Sequence, residues 1–110
     1  MATQLNIYGE AAAPGGAVVT GGTATVPAGH RYRVTKMTGD VAAAGYLYIR
    51  ITPVGGAAAN RYAMYFWAAG NQSEDNLTLI VTAGEVVDLW GTAAAVTRGN
   101  ITGWDELTPV

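Results

Sequence analysis

Val26-Pro27-Ala28-Gly29-His30 runs into Arg31-Tyr32-Arg33-Val34-Thr35, and Val81-Thr82-Ala83-Gly84-Glu85 runs into Val86-Val87-Asp88-Leu89-Trp90. In each unit a valine closes one extended run, an Ala-Gly pair turns the chain, and a β-rich run follows at once. Gly29 and Gly84 supply the positive φ that a tight turn needs, and Pro27 presets φ just before its turn. Such punctuation, recurring in a chain without a convincing helix, predicts an all-β sandwich or barrel. The plainer alternative is two unrelated hairpins, since Ala-Gly is a common pair in a chain this rich in both. The shared frame favours one fold: an antiparallel, jelly-roll-like β-sandwich of about seven to nine short strands.

Outward from these units, side chains alternate with period two. Tyr32 and Val34 oppose Arg31, Arg33 and Thr35; Leu47, Ile49 and Ile51 oppose Tyr46, Tyr48 and Arg50; Leu77, Leu79 and Val81 oppose Thr78, Ile80 and Thr82. Val18 to Val26, interrupted by Gly21-Gly22, reads as a hairpin or a bulged strand. Between Arg61 and Trp67 both faces carry bulk, Tyr62, Met64 and Phe66 against Ala63, Tyr65 and Trp67, so one face is expected to meet another chain or sheet. Residues 70–76 are the most polar stretch and read as a solvent loop. Pro14-Gly15-Gly16 breaks regular structure, which divides the chain into an N-terminal arm and linker, 1–16, and a sandwich domain, 17–110. Within the arm, Gln4, Leu5, Asn6, Ile7 and Tyr8 alternate polar and apolar, suited to adding as a strand to another protein's sheet edge, with Leu5 and Ile7 as anchors. The competing reading makes this segment the first strand of the sandwich.

Composition narrows the function. The 110 residues suffice for one core. With no cysteine there is neither a disulfide framework nor a thiolate metal site. No apolar run is long enough to span a membrane, and the N-terminal residues lack a secretory pattern, so the chain is expected to be used without Sec export. Net charge is −2, which leaves no basic field for nucleic acid. Charged residues make up 13% of the chain, against about 25% in ordinary soluble domains. So neutral a surface is expected to be partly covered by copies of itself or by a larger assembly.

The chemistry-bearing residues are sparse. His30 is the single histidine and Ser73 the single serine, the latter without a nucleophile elbow around it. Glu74-Asp75 and Asp105-Glu106 are adjacent pairs, which a strand splits between its two faces, unlike the facing carboxylates of a glycosidase. The expectation is a protein that is not an enzyme, with no catalytic residues, no bound metal and no cofactor. Trp67, Trp90 and Trp104 with Tyr46, Tyr48, Tyr62 and Tyr65 fit either a sugar-stacking surface or a core and subunit interface, with Tyr62, Tyr65 and Trp67 at the interface.

Taken together, the "V-P-A-G-x-x-Y-x-V" opening at 26–34, the "A-G-E" turn at 83–85 and the closing "x-G-x-x-E-L" at 102–107 resemble the small β-sandwich virion proteins of tailed bacteriophages. The resemblance spans about 26–107 and is most like head decoration (cement) proteins. It implies a non-enzymatic structural protein, made in the host cytoplasm and carried on the capsid exterior as a homotrimer bound to the major capsid protein. The alternative is a carbohydrate-binding module or tail receptor-binding sandwich that recognises a host glycan through two or three coplanar exposed aromatics. Neither reading involves nucleic acid or a membrane.

Overall fold

The computed structural model describes residues 2–108, and among these it contains nine strands and no helix. They are β1 (Ala2–Ala11), β2 (Ala17–Thr25), β3 (His30–Val41), β4 (Gly45–Thr52), β5 (Ala59–Phe66), β6 (Gly70–Glu74), β7 (Leu79–Thr82), β8 (Val86–Gly91) and β9 (Thr97–Leu107). One antiparallel sheet has the order β1-β9-β3-β6 with β7 also on β3; the other has the order β2-β8-β4-β5. β6 and β7 pair with successive stretches of β3, Met37–Val41 and Arg31–Val34, and so act as two halves of one interrupted strand. Apart from the β4–β5 hairpin and the β6–β7 break, every connection passes from one sheet to the other. That is the jelly-roll arrangement of an antiparallel sandwich.

The two Ala-Gly units are crossovers, not hairpins. Each is a turn with Gly at its third position, Gly29 at φ 80° and Gly84 at φ 84°, closed by His30 N–H to the Pro27 carbonyl and Glu85 N–H to the Thr82 carbonyl. The first carries the chain from β2 to β3 and the second from β7 to β8. They lie side by side: Val26 donates to the Glu85 carbonyl at 3.0 Å, and Gly84 donates to the Val26 carbonyl at 2.9 Å. The repeat seen in the sequence is one structural feature, a paired crossing between the sheets.

The N-terminal arm is corrected. β1 pairs with β9 without interruption from Ala2↔Glu106 to Ala11↔Thr97. Leu5 and Ile7 belong to the core, 7% and 6% exposed, so they are not free anchors for another protein, while Gln4, Asn6 and Tyr8 face out. The physical reason is that β9, long and buried on one face, would otherwise be left as an open edge. Only 12–16 is linker, tied across to the other sheet by Gly15 N–H to Ala93 and Gly16 N–H to Gly91. The sandwich therefore begins at Ala2, not at residue 17. Residues 70–74 are also corrected: this polar stretch is strand, its main chain hydrogen-bonded to β3 while its side chains stay in water.

Val34, Met37 and Ile101 from one inner face meet Leu47, Ile49, Val87 and Leu89 from the other, all fully buried. Between these layers lies a row with no side chains, Gly9, Gly99 and Gly39, aligned across β1, β9 and β3. Here the opposite sheet packs directly on backbone: a Cβ at Gly39 would sit 2.8 Å from Leu47 Cδ2 and 3.0 Å from Phe66 Cζ.

Candidate functional site

The outer faces of the two sheets differ in chemistry. On β1-β9-β3-β6, arginines and carboxylates alternate across the strands. Glu106 accepts from Arg31 Nε at 2.9 Å and from Arg33 Nε at 3.2 Å, and Arg98 bridges Glu10 and Asp40 at 3.3 and 3.6 Å. The hydrogen bond from Arg31 is the main cause holding the Glu106 carboxyl below its ordinary pKa. That sheet also exposes Tyr8 and Trp104, apart from each other, whereas on β2-β8-β4-β5 the outward positions of β4, β8 and β5 carry a connected group of rings.

That aromatic face follows from alternation. In β4 the inward positions are Leu47, Ile49 and Ile51, which leaves Tyr46, Tyr48 and Arg50 outside. In β5 Met64 and Phe66 point in, so Tyr65 points out, and Trp67 follows it just beyond the strand. Register places Tyr46 opposite Tyr65 and Tyr48 opposite Trp90. The rings form a continuous chain: Trp67–Tyr65 at 6.4 Å between centroids, Tyr65–Tyr46 at 4.8 Å, Tyr46–Tyr48 at 5.4 Å and Tyr48–Trp90 at 6.0 Å. Arg50 ends the row, 5.2 Å above Trp90 and paired through Nε and Nη2 with the buried Asp88 at 3.0 and 3.3 Å. Trp67 is 81% exposed, Tyr65 48% and Tyr46 40%, although large aromatic area is worth covering.

Of the expected interface set, Tyr65 and Trp67 lie on this face and Tyr62 does not. Tyr62 turns inward and packs half-buried against the core, and desolvation raises its hydroxyl pKa. The reason is parity, since it shares its side of the strand with Met64 and Phe66. Tyr46, Tyr48 and Trp90 take its place on the platform. The coplanar pair that a sugar-stacking surface requires is present in angle only. Tyr46 and Tyr48 are 7° from parallel but stacked upon each other, so their faces are engaged within the protein.

The residues considered for catalysis lie apart. His30 opens β3 with Nδ1 2.7 Å from Asp105 Oδ1, whereas Ser73 pairs with Thr38, eight residues along the same strand and thus about 26 Å away. Ser73 donates to Asp75 at 3.1 Å, and Glu74 accepts from the Asn76 N–H at 2.9 Å. Among the described residues no three His, Cys, Asp or Glu side chains converge as a metal site would require. Among the described residues no helix is long and apolar enough to cross a membrane.

No family model matches the sequence, and no curated protein matches it. Solved structures share the fold. The NLP core of Drosophila, a structure described for pentamer formation and histone binding, aligns over 96% of this chain and 98% of its own at 7% identity and a TM-score of 0.55. The globular domain of zebrafish complement 1qA protein aligns over 90% of this chain and 94% of its own at 10% identity and a TM-score of 0.51. A chain of infectious bursal disease virus, Gt strain, aligns over 94% of this chain and 39% of its own at 12% identity, but at a TM-score of 0.32 the likeness is too distant to bear on the fold. The chain is thus a jelly-roll β-sandwich by topology and by likeness to solved structures.

Proposed function

We propose that this protein is a non-enzymatic structural component of a virion, a decoration protein that self-associates through its aromatic sheet face and binds an assembled phage capsid. The observation that carries self-association is the asymmetry of the faces. The strands of the aromatic sheet hold only Arg50, Arg61 and Asp88 as charged residues, while the other sheet holds Arg31, Arg33, Lys36, Asp40, Arg98 and Glu106 among others. A row of exposed rings on an otherwise neutral face has the composition of an interface core, enriched in Tyr and Trp and poor in charge. Pentamer formation by the NLP core lends this support at the level of fold.

Capsid attachment and the trimeric state rest on the sequence resemblance to phage decoration proteins. With Leu5 and Ile7 in the core, attachment through β1 would fall to its free edge and to the outward Gln4, Asn6 and Tyr8. The test is co-sedimentation of the purified chain with phage heads, paired with light scattering of the free protein. The expected result is a trimer that pellets with heads and not without them. A micromolar monomer that stays in the supernatant overturns the reading.

A further inference from the structure

On the sheet face opposite the aromatic platform, β1, β9, β3 and β6 enclose a groove of about 530 Å3, within the range of small-molecule sites. It lies over the row of inner glycines. Gly39 and Gly99 place no side chain between the sheets, so the opposite sheet's leucines approach their backbone closely, and the groove lies on the outer side of that same backbone. Asn100 and Thr38 form the floor, paired across β9 and β3, with Tyr8 on the β1 side and Asn71 on the β6 side. Asp40 and Arg98 meet at the rim.

We infer that this groove binds a neutral, hydroxyl-rich ligand of the saccharide class. One observation is the side-chain oxygen of Asn100, which is shielded from water yet has no hydrogen-bond partner. A buried polar atom without a partner is costly, and a turn of the amide toward the groove would let a ligand hydroxyl supply the missing donor. Turning the amide over would present a donor at that position instead of an acceptor. A hydroxyl group can satisfy either end.

The second observation is the charge at the rim. Arg98 is shared between Glu10 and Asp40, one cation against two carboxylates. The rim therefore carries a net negative charge that disfavours an anion and leaves carboxylate oxygens to accept from hydroxyl groups. The groove offers donors and acceptors close together, which vicinal hydroxyls match. Tyr8 donates its hydroxyl to Glu10 at 3.0 Å, which fixes a half-exposed ring at the wall, an apolar surface for the C–H face of a sugar. The inference does not depend on capsid binding, and the groove faces away from the aromatic platform, so self-association leaves it open.

The test is two-dimensional NMR of the full chain titrated with glucose, galactose, mannose, N-acetylglucosamine and lactose. At least one should shift the side-chain amide signals of Asn71 and Asn100. Asn100→Ala is expected to weaken binding about tenfold, the scale of one lost hydrogen bond, while leaving the melting temperature unchanged or higher, because it removes an unpaired acceptor from the free protein. Asn71→Ala, on an exposed edge strand where folding is not at stake, should weaken it in the same direction. The inference is overturned if none of the five sugars shifts these signals, if the shifts fall on Tyr65 and Trp67 instead, or if neither variant changes affinity.

Discussion

Gly29 and Gly39 each resist replacement, for different reasons. Gly29 holds φ at 80° with nothing within 4 Å of where a Cβ would sit, so its requirement is purely conformational. Gly29→Ala should cost about 1–2 kcal/mol, the penalty of the left-handed region, and Gly29→Asn less, because Asn tolerates that region. Gly39 has an ordinary strand conformation but no room. Gly39→Ala should cost about 1–3 kcal/mol by overpacking against Leu47 and Phe66, and a Leu47→Val background should reduce that cost. Thermal melts of the single and double variants distinguish strain from crowding. Glu85 adds a pH signature. Its carboxylate accepts the Thr82 N–H at 2.7 Å and the Thr82 hydroxyl at 2.8 Å, which hold its pKa below the ordinary 4.5. A depressed native pKa means that the unfolded chain takes up this proton first on acidification. The stabilisation is therefore complete above the ordinary value and disappears as pH falls through the lowered one. Wild type and Glu85→Gln should melt at different temperatures at neutral pH and converge in acid.

Strands were legible in the sequence wherever alternation ran unbroken, as in Leu47–Ile51 and Leu79–Val81, and both Ala-Gly turns were legible as turns. Partners were not. Local sequence marks a turn but not whether it stays in a sheet or crosses to the other. β3 shows the same limit: its inward set passes from Val34 to Met37 because Thr35 is an extra residue in the pairing with β9, a bulge whose carbonyl accepts from Leu77 N–H. Sequence alone leaves β1 open between an arm and a first strand, because Pro14-Gly15-Gly16 looks the same whether it tethers a free segment or carries a paired strand across to the second sheet. This yields a direct prediction for β1. Deleting residues 2–11 should abolish the cooperative fold, since it removes Leu5 and Ile7 from the core, each contributing about 1.5–3 kcal/mol, and strips β9 of its edge partner, in a domain whose total stability is about 5–15 kcal/mol. A truncated chain that still melts cooperatively would restore the arm. The aromatic platform was half legible: parity exposed Tyr65 and Trp67, but Tyr46 and Trp90 join them only through register. The groove was not legible at all, because Tyr8, Thr38, Asn71 and Asn100 come from four strands. Its one local trace is glycine in mid-strand at Gly39 and Gly99, a mark of close backbone approach.

At the scale of the whole molecule, a low charge content is tolerable because it is distributed unevenly. The ion-paired face can remain in water, and the ring-bearing face is the one whose exposure is costly. If the aromatic face is the contact between copies, apolar area drives association and Coulomb attraction contributes little. The oligomer should therefore keep its mass from low salt to molar salt, where screening shortens the Debye length to about 3 Å. An assembly held by Arg31, Arg33 and Arg98 against carboxylates of a neighbour would instead fall apart over that range. Trp67→Asp and Tyr65→Asp each place a charge where water must be excluded, and each should convert the oligomer to monomer without loss of fold, because both side chains stand outside the core. Tyr62→Phe supplies the control. It alters a ring on the inner side of the same strand and should leave the mass unchanged, so light scattering on these three variants assigns the interface to one face of β5.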